Sequence, residues 1–192
     1  MKSTRLLVPA LATLAAAAIL LVASPVAGQR VDGRPTSSVA LVFGGFSYDH
    51  GGDRTYPMAG LRLERRLSRH LITEVAVSAA RVEVDIVDNT QPEPTVERGT
   101  SGIGAAMVGV QAELPVRGIR PYVGIAAGLF GRFDSEGGDR FLRTTTAFPV
   151  GVRIALTDRL DYRAEVRARF DEHQSGGSAA DAEITLGLGW RV

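Results

Sequence analysis

The chain has 192 residues, with 22 Lys and Arg against 21 Asp and Glu, no Cys, 22 Gly and 45% hydrophobic residues. This length fits one domain, and the lack of cysteine excludes a disulfide framework and a Cys-ligated zinc site. The formal charge of +1 does not support a nucleic-acid-binding protein, because such proteins usually carry a basic excess.

The N-terminal segment has the parts of a secretory signal peptide. Lys2 and Arg5 precede an apolar run over residues 6–23, which ends in small residues. Pro9 interrupts this run and leaves it shorter than the roughly 20 apolar residues that a membrane-spanning helix needs. We therefore predict a cleaved signal peptide over residues 1–28 rather than a retained anchor.

Residues 29–36 show no periodicity and read as a short leader, whereas residues 37–192 alternate between apolar and polar positions. Alternation with period two is typical of half-buried strands, because successive side chains of a strand point to opposite faces. The segment 160–170 is the clearest case. One of its rows is Leu160, Tyr162, Ala164, Val166, Ala168 and Phe170, and the other is Asp161, Arg163, Glu165, Arg167 and Arg169.

The same pattern predicts eight strands separated by turn residues. They are expected near 38–48, 56–66, 71–85, 101–114, 119–133, 142–157, 160–170 and 181–192. The first is apolar on both faces, so its register stays open. The fold class that follows is all-β, an eight-stranded antiparallel up-and-down barrel.

The connections alternate in length. The second, fourth and sixth are tight, at 67–70, 115–118 and 158–159; the first, third, fifth and seventh are longer and polar or Gly-rich, at 49–55, 88–99, 134–140 and 171–180. In an up-and-down meander, the short and long connections then lie at opposite ends. Bacterial outer-membrane barrels show this asymmetry, with short periplasmic turns and longer external loops.

Alternation alone does not decide which row faces inward, because a soluble ligand-binding barrel turns its apolar row inward and a membrane barrel turns it toward lipid. Two features favour lipid. Aromatic residues stand toward the ends of the apolar rows, at Phe133, Tyr162, Phe170 and Trp190. The polar rows also have nearly balanced charge, as an internal ion-pair network requires. Their members are Arg62, Arg132, Arg153, Arg163, Arg167, Arg169 and Arg191 against Glu64, Glu74, Glu113, Asp161, Glu165 and Glu183.

The last strand continues to the terminal residue as Leu-Gly-Leu-Gly-Trp-Arg-Val, residues 186–192. This ending is similar to the final strand of bacterial outer-membrane barrels, although such strands most often end in Phe and this one ends in Val192. Residues 120–128 also resemble a strand of the small OmpA-type and OmpX-type barrels. The resemblance covers residues 37–192 and implies a transmembrane barrel in the outer membrane. It implies no activity.

Two residues fit this pattern poorly. Pro149 lies inside the sixth strand, where a missing N–H interrupts a closed sheet, so we expect a bulge there or a membrane segment that starts at Val150. Arg81 follows the outward row of the third strand. That row must therefore switch faces after Ala79 or leave the membrane there.

The residues that could carry chemistry are few, since the sequence contains three His and no metal-ligand spacing. His173 and Ser175, with Glu183 further on, resemble the His-x-Ser and later Glu of outer-membrane lipid A deacylases. The resemblance would make His173 the base, Ser175 the nucleophile and Glu183 the residue that orients the base. Gly176 stands where that family usually has Asn, and His173 and Ser175 continue the inward row.

We therefore predict an outer-membrane barrel with a lumen filled by side chains, since eight strands leave room for little more. Its expected role is structural or in surface interaction, without catalysis, cofactor or metal. The expected partners are outer-membrane lipid and lipopolysaccharide, the insertion machinery that reads the last strand, and an extracellular ligand at the loops. The alternatives are a deacylase that uses His173, Ser175 and Glu183, and a soluble periplasmic barrel that binds an apolar ligand.

Overall fold

The computed structural model describes residues 37–47, 54–88, 95–114, 116, 118–135, 140–172 and 178–192. The predicted signal peptide and leader lie outside these residues. Within them, no helix is long and apolar enough to cross a membrane. The strands are β1 (Ser37–Ser47), β2 (Thr55–Arg66), β3 (Leu71–Asp88), β4 (Thr95–Glu113), β5 (Ile119–Ser135), β6 (Phe141–Ala155), β7 (Leu160–Glu172) and β8 (Ser178–Arg191).

These strands form one closed antiparallel barrel in sequence order, with β8 paired to β1. The predicted fold class is thereby confirmed. The strand ends next to the long connections extend further than predicted, except in β1, which ends at Ser47. In particular, β3 continues to Asp88 and β4 begins at Thr95, because these two residues pair with each other and the strands supply each other with hydrogen-bond partners.

Side chains alternate across the barrel wall as the period-two pattern predicted. Outward residues include Val123 and Ile184, which are 58% and 60% exposed, whereas the inward Arg163 and Glu74 are each 1% exposed. The register of β1, which the sequence left open, is now clear. Val42 and Phe46 point inward and are buried, and Phe43 points outward.

Pro149 is accommodated without a bulge. Val123 pairs with Val150 on one side of it and Ala126 pairs with Ala147 on the other, in the same register. The two pairs between them are missing from the β5–β6 ladder, because a proline has no N–H to donate. The expected bulge is therefore wrong, and β6 continues through the proline; a membrane segment that starts at Val150 stays a prediction.

Arg81 is also accommodated without a change of face. The pairing of β3 with β4 keeps one register from Leu71 to Asp88, and Arg81 is exposed while the next residue, Val82, is fully buried. Of the two expectations for this row, a switch of faces is excluded. The outward row instead continues past the apolar belt, which is the band of exposed apolar side chains on the outer wall that includes Val123, Val150, Val166 and Ile184.

The stagger of the strands follows from the pairing. Starting at Trp190 and stepping from partner to partner once round the barrel leads back to β8 at Ala180, a displacement of ten residues (190 − 180 = 10). Strands spaced about 4.8 Å apart, with a rise of about 3.3 Å per residue, then tilt about 40° from the barrel axis. Each residue therefore advances about 2.5 Å along that axis. The partners in order are Trp190, Val39, Leu63, Val75, Val108, Ala127, Thr146, Phe170 and Ala180.

Closure of the barrel depends on a close approach of β1 and β8. A Cβ atom at Gly44 would lie 1.9 Å from the backbone oxygen of Ile184. The neighbouring Gly45 is different, because a Cβ there would meet only the side chain of Thr55, with Cγ2 at 2.5 Å. A side chain end can rotate away, whereas the β8 backbone cannot.

We therefore expect Gly44→Ala to destabilise the barrel by about 1–3 kcal/mol, the usual cost of forcing atoms into a packed site. Gly45→Ala, one residue away on the same strand, is the matched control and should remain close to the parent protein. The measurement is the temperature at which the detergent-solubilised protein loses its folded mobility on an unboiled gel. Equal midpoints for the two variants would contradict the role given to Gly44.

Candidate functional site: an ion-pair ladder in the lumen

Eleven of the inward charges form one connected network, which we call the ion-pair ladder. In it, Arg and Glu alternate along the lumen from the tight-turn end to the loop end. Eight of its ten links measure 2.6–3.7 Å, and the Arg163–Glu64 and Arg169–Glu183 contacts are shorter. The members in order are Arg66, Glu113, Arg153, Glu64, Arg163, Glu74, Arg167, Glu165, Arg62, Glu183 and Arg169.

The ladder connects strands that are not neighbours. Arg153 of β6 donates to Glu64 of β2 at 2.6 Å, and Arg167 of β7 donates to Glu74 of β3 at 2.7 Å. Each such link crosses the lumen. Because the side chains of the middle links are 1–7% exposed, water is excluded from the barrel axis there.

Neutral groups add hydrogen bonds to the ladder. Tyr122 donates its hydroxyl hydrogen to Glu165 at 2.7 Å, and Gln111 donates to Glu74 at 2.9 Å. The Gln111 oxygen in turn accepts from Arg153, whose guanidinium carbon lies 3.9 Å from the Tyr122 ring centroid. A carboxylate shared among several donors is satisfied more fully than one in a single ion pair, which makes its burial tolerable.

Two aromatic rings lie against Arg169, the last member of the ladder at the loop end. The Arg169 guanidinium carbon lies 4.7 Å from the Phe46 ring centroid and 4.6 Å from that of Phe130. Cation–π contacts of this kind are stronger when the cation is desolvated. A cavity beside Arg169 and Glu183 measures about 10 Å³, which is room for about one water molecule.

Beyond Arg169, part of the lumen changes from charged to apolar. Phe46, Tyr56, Met58, Ile103 and Phe130 belong to a buried apolar cluster at this level. On the opposite wall, the inward side chains stay polar, with Asp171 and Asp181 buried on β7 and β8. The loop end of the lumen therefore has an apolar wall and a charged wall.

At a similar height, the outer surface changes from apolar to polar. On β3, the outward residues up to Ala79 are apolar except Thr73, and the next two are Arg81 and Glu83, both exposed, while the inward Val82 is fully buried. The ten steps from Leu71 to Arg81 span about 25 Å along the barrel axis, the height of the apolar band of a membrane barrel. Past this point the outer face of β3 is polar, and the lumen inside it is apolar on one wall and charged on the other.

The structure brings ten of the thirteen predicted inward charges together in the ladder. Of the rest, Arg191 and Asp161 form a separate pair at 3.1 Å, and Arg132 contacts the Phe141 ring instead. Sequence reasoning missed Arg66 as an eleventh member, and it missed Arg120, whose Nε lies 3.8 Å from Glu113. It also missed Tyr122 and the inward Phe46 and Phe130. Parity along β5 was the available signal for Tyr122 and Phe130, because both share it with the inward Ala126.

The deacylase hypothesis gains no geometric support. His173 and Ser175 lie outside the described residues. Glu183, the proposed orienting residue, is 1% exposed and binds Arg62 at 3.4 Å and Arg169. Among the described residues, no group of three His, Asp or Glu side chains is placed to hold a metal ion.

A closed barrel with an apolar belt outside and paired charges inside is the architecture of a membrane-spanning β-barrel. The chain belongs to the outer membrane protein beta-barrel domain family, whose model matches residues 13–191. No curated protein matches it in sequence.

Solved structures with the same fold include three surface or outer-membrane barrels. Neisserial surface protein A superposes with a TM-score of 0.60 at 13% identity, over 81% of this chain and 96% of that one. OprG from Pseudomonas aeruginosa gives 0.59 at 11%, over 85% and 100%. Ail, the attachment invasion locus protein of Yersinia pestis, in complex with the heparin analogue sucrose octasulfate, gives 0.53 at 14%, over 83% and 99%. At these identities the likeness shows the fold alone.

We expect Glu74→Gln to destabilise the protein by about 3 kcal/mol or more, because it leaves Arg163 and Arg167 short of a carboxylate in a buried network. The control is Glu83→Gln, which breaks the exposed Arg54–Glu83 pair, whose side chains are 51% and 50% exposed. Such surface pairs contribute at most about 1 kcal/mol. Urea unfolding in phospholipid vesicles, followed by the fluorescence of the single Trp, measures both. Equal losses would refute the importance of the ladder.

The height of the apolar belt can be measured with single nitroxide labels, since the chain has no native Cys. Labels at Val75 and Val77 should be accessible to oxygen and shielded from a water-soluble nickel complex. A label at Glu83 should show the reverse, because it lies past the belt. An inward label at Ser78 should be shielded from both reagents. Equal nickel accessibility at Val77 and Glu83 would contradict this placement.

Proposed function

We propose that the chain is exported with cleavage after residue 28 and resides in the outer membrane as a closed barrel that conducts no ions. Its role is to contribute to envelope structure and to present its loop-end surface to the outside, without catalysis. Outer-membrane lipid and lipopolysaccharide surround it, and the insertion machinery reads β8. The chain belongs to a family of outer-membrane protein barrel domains, which supports this location.

The ion-pair ladder is the observation that supports a lumen closed to ions. A conducting pore needs a continuous water path, and the side chains of the ladder meet across the lumen on the barrel axis. A polar cavity at the tight-turn end measures about 20 Å³, enough for only one or two water molecules. Ion passage would require breaking several buried pairs together, each of which is costly to separate.

The surface-interaction part of the proposal is supported by the change of polarity at the loop end. The barrel extends past its apolar belt there, so that strand residues as well as loops are available to an extracellular ligand. Neisserial surface protein A and Ail, which share the fold, are named for the cell surface and for attachment. The soluble apolar-ligand barrel is not favoured, because the apolar rows face outward along most of the wall.

We expect no stepwise currents when the folded protein is added to planar lipid bilayers, since the ladder leaves no water path. The same sample should shift its gel mobility on boiling, which shows that the added protein was a folded barrel. Steady open-channel currents from a sample that passes this control would overturn the closed-lumen function.

A further inference from the structure

A polar cavity of about 20 Å³ lies at the tight-turn end of the lumen. Its charged lining has more arginines than carboxylates, namely Arg66, Arg120, Arg153 and Arg191 against Glu64 and Asp161. Glu113, the next carboxylate, pairs with three of these arginines. When Glu113 is counted, four positive charges meet three negative ones, which leaves one positive charge in surplus at the cavity.

The strand pairing brings two of these like charges together. Arg120 of β5 lies directly opposite Arg153 of β6, and both side chains are inward and buried. Arginines that oppose each other in this way repel. The two share Glu113, which lies 3.8 Å from Arg120 and 3.0 Å from Arg153. An anion between the two guanidinium groups would reduce the remaining repulsion.

Arg153 also has an unused hydrogen-bond donor. The residue is 2% exposed, and its two terminal nitrogens donate to Glu64 and Glu113. Within the described part of the chain, its Nε atom is buried and has no hydrogen-bond partner. A buried donor without a partner is destabilising, so an acceptor in the cavity that Arg153 lines would stabilise the fold.

The rest of the ladder does not offset this surplus. The ladder begins and ends with arginine, so that six arginines alternate with five glutamates. At its loop end, Arg169 lies opposite Asp181 of β8, which brings a carboxylate to that end. The predicted leader adds no net negative charge, because residues 29–36 contain Arg30 and Arg34 against Asp32.

From this geometry we propose that the cavity binds one monovalent anion of the size of chloride, between Arg120, Arg153 and Arg191. Guanidinium groups bind anions through charge-assisted hydrogen bonds, and a single negative charge matches the surplus. The cavity has room for one or two water molecules, which a halide ion fits and a sulfate or phosphate ion does not. The Arg66 side chain, which is 17% exposed, connects the cavity to the medium at the tight-turn end.

This inference goes beyond the proposed function and does not depend on it. The ladder closes the lumen beyond the cavity, so the ion would bind at the mouth of the barrel without crossing it. Its role would be to stabilise the tight-turn ends of β2, β5, β6 and β8, which carry the four arginines. Water is the competing occupant, since it would satisfy the donors without changing the charge.

The test measures the chlorine NMR linewidth of chloride in the presence of the full-length mature protein, folded in a sugar detergent. Chloride replaces gluconate at constant ionic strength. A bound ion relaxes faster than a free one, so we expect a saturable broadening of the line. Bromide should remove this broadening, and sulfate at the same ionic strength should leave it unchanged.

Three variants locate the ion. Arg120→Gln should weaken binding about tenfold or more, as expected for a lost hydrogen bond to a charged group. Arg120→Lys keeps the charge and should weaken binding less. Arg159→Gln is the matched control, because it removes an exposed arginine at the same end of the barrel. Since water and salt screen such a charge, the affinity should change by about twofold or less.

A gel shift on boiling shows that each variant is folded. A second measurement needs the parent protein alone: its urea unfolding midpoint should rise when chloride replaces gluconate, because a ligand of the folded state stabilises it. The site is overturned, and the cavity assigned to water, by any of four results. They are a lack of saturable broadening, an unchanged midpoint, displacement by sulfate as strong as by bromide, and an equal loss of affinity in Arg159→Gln.

Discussion

The energetic penalty for burying a charge in the lumen is the constraint on which this barrel depends. An isolated guanidinium or carboxylate inside the wall would cost several kcal/mol, so each ladder member needs a partner of opposite sign within reach. The ladder meets this need by alternation, with Glu74 between Arg163 and Arg167 and Glu165 between Arg167 and Arg62. Removing one member leaves its neighbours as buried charges without a counter-charge. The loss of stability is then larger than the loss of one contact.

The same constraint couples the lumen to closure of the barrel. Ladder links cross from β6 to β2 and from β7 to β3, so the partners meet only when all eight strands are paired in the right register. A shift of β8 against β1 by one residue would turn Glu183 outward, because successive side chains face opposite sides of the wall. The close approach at Gly44 and the buried pairs therefore select the same register.

Polarity along the barrel axis divides the molecule into two zones with different roles. In the membrane zone the charges lie inside the barrel and pair with one another, so their role is to stabilise the fold. At the loop end the interior is partly apolar, and Arg132 contacts the Phe141 ring instead of joining the ladder.

The sequence by itself determined the strands, their order, the alternation of short and long connections, and, for every strand except β1, which residues share a face, because period-two parity is a local property of each strand. Parity says nothing about which residues meet across the lumen. That was decided by the ten-residue stagger and by closure, which brought Arg153 to Glu64 over 89 residues of chain and left Arg132 against Phe141. The register of β1 also needed the tertiary structure, since both of its faces are apolar and pairing with β2 and β8 alone determines which of them is buried.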